Sequence, residues 1–355
     1  MRTRKPPLGM EIPESFLRRG AALLAEYPSV DVHSHPGRSF LVGAKPDSLM
    51  IRLMRDGFEA SRIADMREAH VTASLFALVA DFPLLGIEKG GLRAMREFAN
   101  DEAYRDFERQ FARLRSLIDD GLIRPGLTPG DIRAAHRAGE CVAVLCSEGG
   151  DFIEDRLERL AAAHAAGLRS VTLVHYHVNQ LGDVQTVAPV HNGLTPLGGA
   201  VVREMNRLGM IIDVAHATQA TCADVVAESR VPVMLSHSNL QTGPAPSPRL
   251  ISTEHARLVT DAGGIIGAWP AGIGSKSLAD FVTQIFTLVD AVGIDHVAVG
   301  TDMDANYKPV LTEYTDFPIL AAALLARGMS ENDAAKVLGG NFLRLFDDVT
   351  VAGAA

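Results

Sequence analysis

Cysteine is scarce in this chain of 355 residues: there are three, Cys141, Cys146 and Cys222. An odd number without a Cys-x-x-Cys pair excludes a disulfide framework and a thiolate zinc site, and leaves three apolar side chains suited to a reducing compartment. Positive charge is scarce too. The formal net charge is −9 and no block of Lys or Arg occurs. The clustered cations that grip a phosphate backbone are therefore missing, and nucleic acid is not an expected partner. No apolar run is long enough to cross a membrane. The basic start (Arg2, Arg4, Lys5) runs into Pro6, Pro7, Glu11 and Glu14 where a signal peptide needs its apolar stretch, and Ala21 to Ala25 after Arg18-Arg19 is too short for a twin-arginine signal. The expectation is a cytoplasmic protein that acts on a small molecule. Internal repeats, linkers and low-complexity segments are lacking as well, apart from the small residues after Asp348.

What is present is a large hydrophobic fraction, 47%, arranged as alternating strands and helices. Strands are expected at Val30 to His33, Val71 to Ala80, Cys141 to Ser147, Ser170 to Val174, Met210 to Val214, Val231 to Ser236, Gly264 to Trp269 and His296 to Thr301. Helices are expected over 46–69, 130–138, 151–166, 197–208, 218–228, 252–262 and 277–292, with 88–120 as one long helix or two broken ones. Each strand is nearly continuous in Val, Ile, Leu and Ala, as when helices cover both sheet faces. Such units predict a single-domain (β/α)8 TIM barrel over 1–355, with its core at about 28–312 and a helical C-terminal segment over 313–355. The alternative, a doubly wound open sheet, is disfavoured because no Gly-x-Gly-x-x-Gly follows the first strand.

Barrel enzymes carry their chemistry at the C-terminal ends of the strands, and these ends are polar here. Strand one closes with His33 and His35, whose side chains share a face about 7 Å apart along an extended chain, within reach of one cation. Strand three closes with Glu148, strand four with His175 and His177, strand five with His216, strand six with His237 and strand eight with Asp302. Twelve histidines scattered at random would rarely close four strands in this way. Imidazoles and a shared carboxylate are standard zinc ligands. Each residue also has a plainer reading: Glu148 at a helix N-terminus, His216 and His237 as hydrogen-bonded core residues, Asp302 satisfying loop amides. A metal ion lowers the pKa of bound water to about 7, and a carboxylate such as Asp302 can take up its proton and pass it to a leaving amine. Asp304 is read as structural. His70, His136, His164, His255 and His296 are read as helical or strand-start residues, and His191 lies in a loop without an assigned part.

The set resembles the membrane (renal) dipeptidase family of zinc metallopeptidases, within the amidohydrolase-like barrels, from about Val30 to Phe346. The likeness rests on the end of strand one, Ser147 to Gly150, Val171 to Asp183, Ile212 to His216, Pro232 to Asn239, Gly300 to Asp304 and the closing Gly-Gly-Asn-Phe-Leu-Arg. It implies two Zn2+ ions bridged by Glu148, the first held by His33 and His35, the second by His216 and His237. It also implies that His175 contacts the scissile carbonyl, that Asp302 is the acid/base and that Arg249 holds the substrate carboxylate. Two positions differ from the family pattern. His35 stands where the family has Asp, which lowers the charge around the first ion and makes that site the weaker. Leu250 follows Pro248-Arg249 where the family has Asn, inside an altered Gly243 to Pro248 loop. A carbamylated lysine, the bridge in other amidohydrolases, is excluded because Lys5, Lys45, Lys89, Lys276, Lys308 and Lys336 all miss the strand ends.

The resulting expectation is a zinc-dependent dipeptidase acting on small dipeptides, with a D-residue at the C-terminal side among the candidate substrates. An amidohydrolase for another small amide, an N-acyl amino acid or a lactone is the alternative, and a non-catalytic metal-binding scaffold is a third. Arg249 separates the first two, since a substrate without a free carboxylate has no use for a buried guanidinium. Its plainer reading is a surface contact with Glu254. A homodimer stays open as the assembly.

Overall fold

Eight parallel strands, each hydrogen-bonded to the next, close into a barrel in the computed structural model, which describes residues 5–44, 54–88, 91–244 and 246–353. They are β1 Val30–Ser34, β2 Ala73–Val79, β3 Val142–Glu148, β4 Leu168–Thr172, β5 Ile211–Asp213, β6 Met234–Ser238, β7 Ile265–Ala268 and β8 Val297–Val299. Closure comes from β8, where Val299 registers with Asp31 of β1. At the other side of the ring Val79 registers with Glu148, Glu148 with Thr172 and Thr172 with Asp213, so the C-terminal ends of β2 to β5 form one level rim. Burial of almost every strand residue on both faces explains the unbroken apolar runs.

The barrel helices are α2 Glu59–Glu68, α3 Glu102–Asp119, α4 Pro129–Ala138, α5 Glu158–Ala165, α6 Pro196–Leu208, α7 Gln219–Glu228, α8 Thr253–Thr260 and α9 Leu278–Val292, with α1 Glu14–Glu26 ahead of the first strand. Five of them begin where a hydroxyl caps the first turn: Thr128, Thr195, Thr218, Ser252 and Ser277 each accept from a backbone N–H three residues on. That local chemistry made their starts legible. The C-terminal segment forms α10 Phe317–Ala326, α11 Glu331–Ala335 and α12 Asn341–Gly353. Phe342, Leu345 and Phe346 of α12 pack with Val30, Val32, Ile211 and Met234, closing the barrel's lower end. Gly339 permits this, because a Cβ there would meet the Pro28 carbonyl oxygen at 2.2 Å.

Four details differ from the sequence reading. The helix expected over 46–69 is confined to α2; residues 54–58 are irregular, and 45–53 lie outside the described residues. The segment expected as helix over 88–120 begins instead with an antiparallel hairpin, Leu85–Glu88 against Gly91–Ala94, and only α3 is helical. The hairpin is short and two of its four pairs leave a partner exposed, so the apolar spacing of the segment did not show it. The helix expected over 151–166 is a single 3-10 turn, Asp151–Ile153, followed by α5. Helix α1 was not expected at all; it packs on α10 through Gly20, whose absent side chain lets the backbones of the two helices touch.

Candidate metal centre and active site

Glu148 ends β3 with its carboxylate buried at the barrel mouth, 2% exposed. Five imidazoles surround it. One oxygen, Oε1, lies 3.3 Å from Nε2 of His33, 2.9 Å from Nε2 of His216 and 3.6 Å from Nε2 of His237. The other, Oε2, lies 3.3 Å from Nε2 of His35 and 3.3 Å from Nε2 of His175. Two groups of three thus share Glu148: His33, His35 and Glu148, and Glu148, His216 and His237.

The orientation of the rings suits metal ligation. His33 and His35 face each other Nε2 to Nε2 at 3.2 Å, and His216 and His237 do so at 3.0 Å. The outer nitrogens of His35 and His237 are tied up. Nδ1–H of His35 donates to the Ala77 carbonyl at 2.9 Å. The Ser236 hydroxyl gives its proton to Asp213 Oδ2 at 2.6 Å, so it accepts from Nδ1–H of His237 at 3.0 Å. In both rings the Nδ1 contact turns Nε2 inward, so that the neutral ring presents its Nε2 lone pair to a metal. Burial, reinforced by His33, Arg249 and neighbouring rings, keeps His216 and His237 well below the usual imidazole range, hence neutral. Glu148 is held well below the usual carboxylate range: burial pushes it up, but His175 and His33 outweigh that. At His35 burial opposes protonation, yet Asp302 and Glu148 raise its pKa to about 10. The carboxylates therefore favour a positive charge at this point. Donor set, tautomers and charge all fit a pair of divalent cations.

Asp302 follows β8 and turns its Oδ1 to 3.3 Å from Nε2 of His35. Its backbone lies in the left-handed region, φ +52°, as does that of His216, φ +67°. Strain of this kind in non-glycine residues gathers at functional sites, where the surroundings dictate the conformation. Asp304 accepts from Arg62 and from the Gly37 backbone, as its structural reading required.

The two histidines after β4 part company. Nδ1–H of His175 donates to Asp81 Oδ1 at 2.6 Å, which turns Nε2 toward Glu148. Burial disfavours its charged form, but Asp81 and Glu148 raise its pKa above the usual range. His177 instead donates to Asp151 at 2.7 Å and to Glu97 at 2.9 Å, away from the cluster. His191 bonds the Asn179 carbonyl and belongs to the loop.

Arg249 is buried, 6% exposed, and its recorded partner is His216 and not Glu254. Its Nη2 donates to Nε2 of His216 at 3.1 Å and its guanidinium lies 5.1 Å from the centre of the Trp269 ring. Nε and Nη1 of Arg249 are buried without a partner among the described residues.

Sequence reasoning missed Asp81, Ser236 and Trp269. Asp81 comes two residues after β2, the one polar strand end left unread, and the strand-end rule would have found it. Ser236 and Trp269 carried no signal, because their parts depend on neighbours distant in sequence.

The family model of the membrane dipeptidases (peptidase family M19) matches residues 17–354. The chain belongs to this family. Among curated relatives, dipeptidase verJ of Clonostachys rogersoniana is 28% identical over 356 residues, 96% of this chain and 89% of that protein. Dipeptidase tcpJ of Claviceps purpurea is 31% identical over 229 residues, 62% of this chain and 53% of that protein, so that match spans about half of the relative's length. Of solved structures, the probable dipeptidase PvdM from Pseudomonas aeruginosa superposes with a TM-score of 0.79 at 21% identity, covering 96% of this chain and all of that one (100%). A metallopeptidase from Rhodobacter sphaeroides, liganded with a phosphinate mimic of the dipeptide L-Ala-D-Ala, gives 0.76 at 22% identity, covering 91% and 99%. These likenesses place the membrane dipeptidase fold on the chain.

Proposed function

We propose that this chain is a metal-dependent dipeptidase that cleaves small dipeptides bearing a free C-terminal carboxylate, with two zinc ions. The observation that carries the reading is Glu148 shared between two ligand groups, with the guanidinium of Arg249 beside them, two of its nitrogens without a partner among the described residues. His33, His35 and Glu148 would hold one ion, and Glu148, His216 and His237 the other. Bound zinc supplies a Lewis acid that polarises the scissile carbonyl and makes water acidic enough to attack at neutral pH.

The protein's own groups do the rest. Arg249 presents two free donors to the substrate carboxylate, and a charge-assisted pair in a buried mouth fixes the dipeptide's orientation. His175, oriented by Asp81, directs Nε2 at the carbonyl oxygen, where its protonated form stabilises the charge that grows there. Asp302 takes the proton from the attacking water and returns it to the leaving amine. The three buried free cysteines fit a reducing, cytoplasmic setting, and no helix among the described residues is long and apolar enough to cross a membrane.

The test compares Ala-Ala, in L,L and L,D forms, with the same dipeptides amidated at the C-terminus. A charge-assisted hydrogen bond contributes about 1.5–3 kcal/mol, so amidation should lower kcat/KM at least about tenfold. Equal rates on acid and amide would move the protein to the amidohydrolase alternative.

A further inference from the structure

The residue between His175 and His177 is a tyrosine with an unusual setting. Asp81 Oδ2 accepts from the Tyr176 backbone N–H at 3.0 Å and from that of His177 at 2.9 Å, while Oδ1 takes Nδ1–H of His175. The carboxylate that orients His175 therefore also fixes the backbone from which Tyr176 projects. The phenol ring stands edge-on to two imidazoles of the site, 4.6 Å from the centre of His175 and 5.3 Å from that of His216. It is only partly buried, so it reaches the mouth.

Among the described residues its hydroxyl has no hydrogen-bond partner. A phenol with an ordinary pKa of about 10 is a neutral donor, and Arg249 lies among the charged groups that act on it. The ring that it abuts, His216, is also the ring 3.1 Å from Nη2 of Arg249. Tyr176 and Arg249 thus meet at the same imidazole from two loops, one after β4 and one after β6, and both bring donors that the protein leaves free.

We infer that Tyr176 is a substrate-contacting, specificity-determining residue: its hydroxyl donates to the carboxylate of the dipeptide beside Arg249, completing a two-residue anion subsite. The inference rests on the dipeptidase reading and adds a residue to it. A planar carboxylate has about four lone-pair directions, so a guanidinium fork leaves room for a third donor. A neutral O–H adds that bond without a second positive charge next to the metals.

The test uses the parent, Tyr176→Phe, Arg249→Met and the double variant, each assayed on a free dipeptide and its C-terminal amide, with metal content measured for each. Phe keeps the ring contacts with His175 and His216 and removes only the donor. The preference for free acid over amide, as a ratio of kcat/KM, should fall at least about fivefold in Tyr176→Phe, mostly through KM, with metal content at the parental level. In Arg249→Met the same Tyr176→Phe change should cost less, since two donors sharing one carboxylate are coupled. A parent that does not distinguish acid from amide would remove the dipeptidase reading itself. A parent that does, with an unchanged ratio in Tyr176→Phe or equal losses on acid and amide, would overturn the part given to Tyr176.

Discussion

Asp302 and His35 show how single residues divide the work at the centre. Asp302 lies 3.3 Å from the inner nitrogen of His35 on a strained backbone, and it belongs to neither ligand group. Replacing it with Asn keeps the shape and removes the basic oxygen. Metal content and fold should stay at the parental level while turnover falls about 10²-fold or more; near-parental turnover would mean that another group carries the proton. With two imidazoles in the first group, Glu148 is its one carboxylate donor. Dialysis against a mild chelator should therefore remove one ion ahead of the other, and His35→Asp should delay that first loss. Simultaneous loss of both, unchanged in the variant, would contradict the assignment. These residues were legible in the sequence because a histidine or carboxylate closing an apolar run has few plainer uses. Asp81 was passed over for want of applying the same rule to β2, and Trp269 for want of any local sign.

Elements explain why some of the architecture was readable and some was not. Strands buried on both faces and helices begun by Ser or Thr caps announce themselves within a few residues. The hairpin Leu85–Ala94 does not: its stability lies in pairing between its own arms and in contact with the loop around Phe40 and Phe82, where Leu85 packs. That hairpin leads into Glu97, which meets His177 of the β4 loop, and His177 in turn holds Asp151 of the β3 loop. Three loops are joined through one imidazole. Burial lowers the pKa of His177, but Asp151 and Glu97 outweigh it and raise it to about 9. A folded pKa above the unfolded value of about 6.5 means that this tie stabilises fully below pH 6.5 and fades as pH rises through 9. The stability difference between the parent and His177→Gln, read from urea midpoints, should shrink between pH 6.5 and 10. A difference that stays constant over that range would assign His177 a packing part only.

At the scale of the whole molecule, the barrel turns residues 33, 148, 216 and 237, spread over more than half the chain, into neighbours of one carboxylate. The count of eight units predicted the rim, and the rim predicted the cluster. Distances, tautomers and the exposure of Arg249 needed the folded chain, because they depend on which strands stand next to each other and on loops that do not repeat. The C-terminal helices, seen in the sequence only as a helical tail, close the lower end of the barrel and leave the rim as the open face.

The account's central claim is that hydrolysis depends on two metal ions sharing Glu148. The most direct measurement is the rate of hydrolysis of a free Ala-Ala dipeptide by metal-stripped protein as zinc is added back in known amounts. The account predicts no turnover without metal and a rise that reaches its plateau at two zinc ions per chain, with Glu148→Gln neither retaining two ions nor reaching that rate. Full activity in the stripped protein, or a plateau at a single ion per chain, would contradict it.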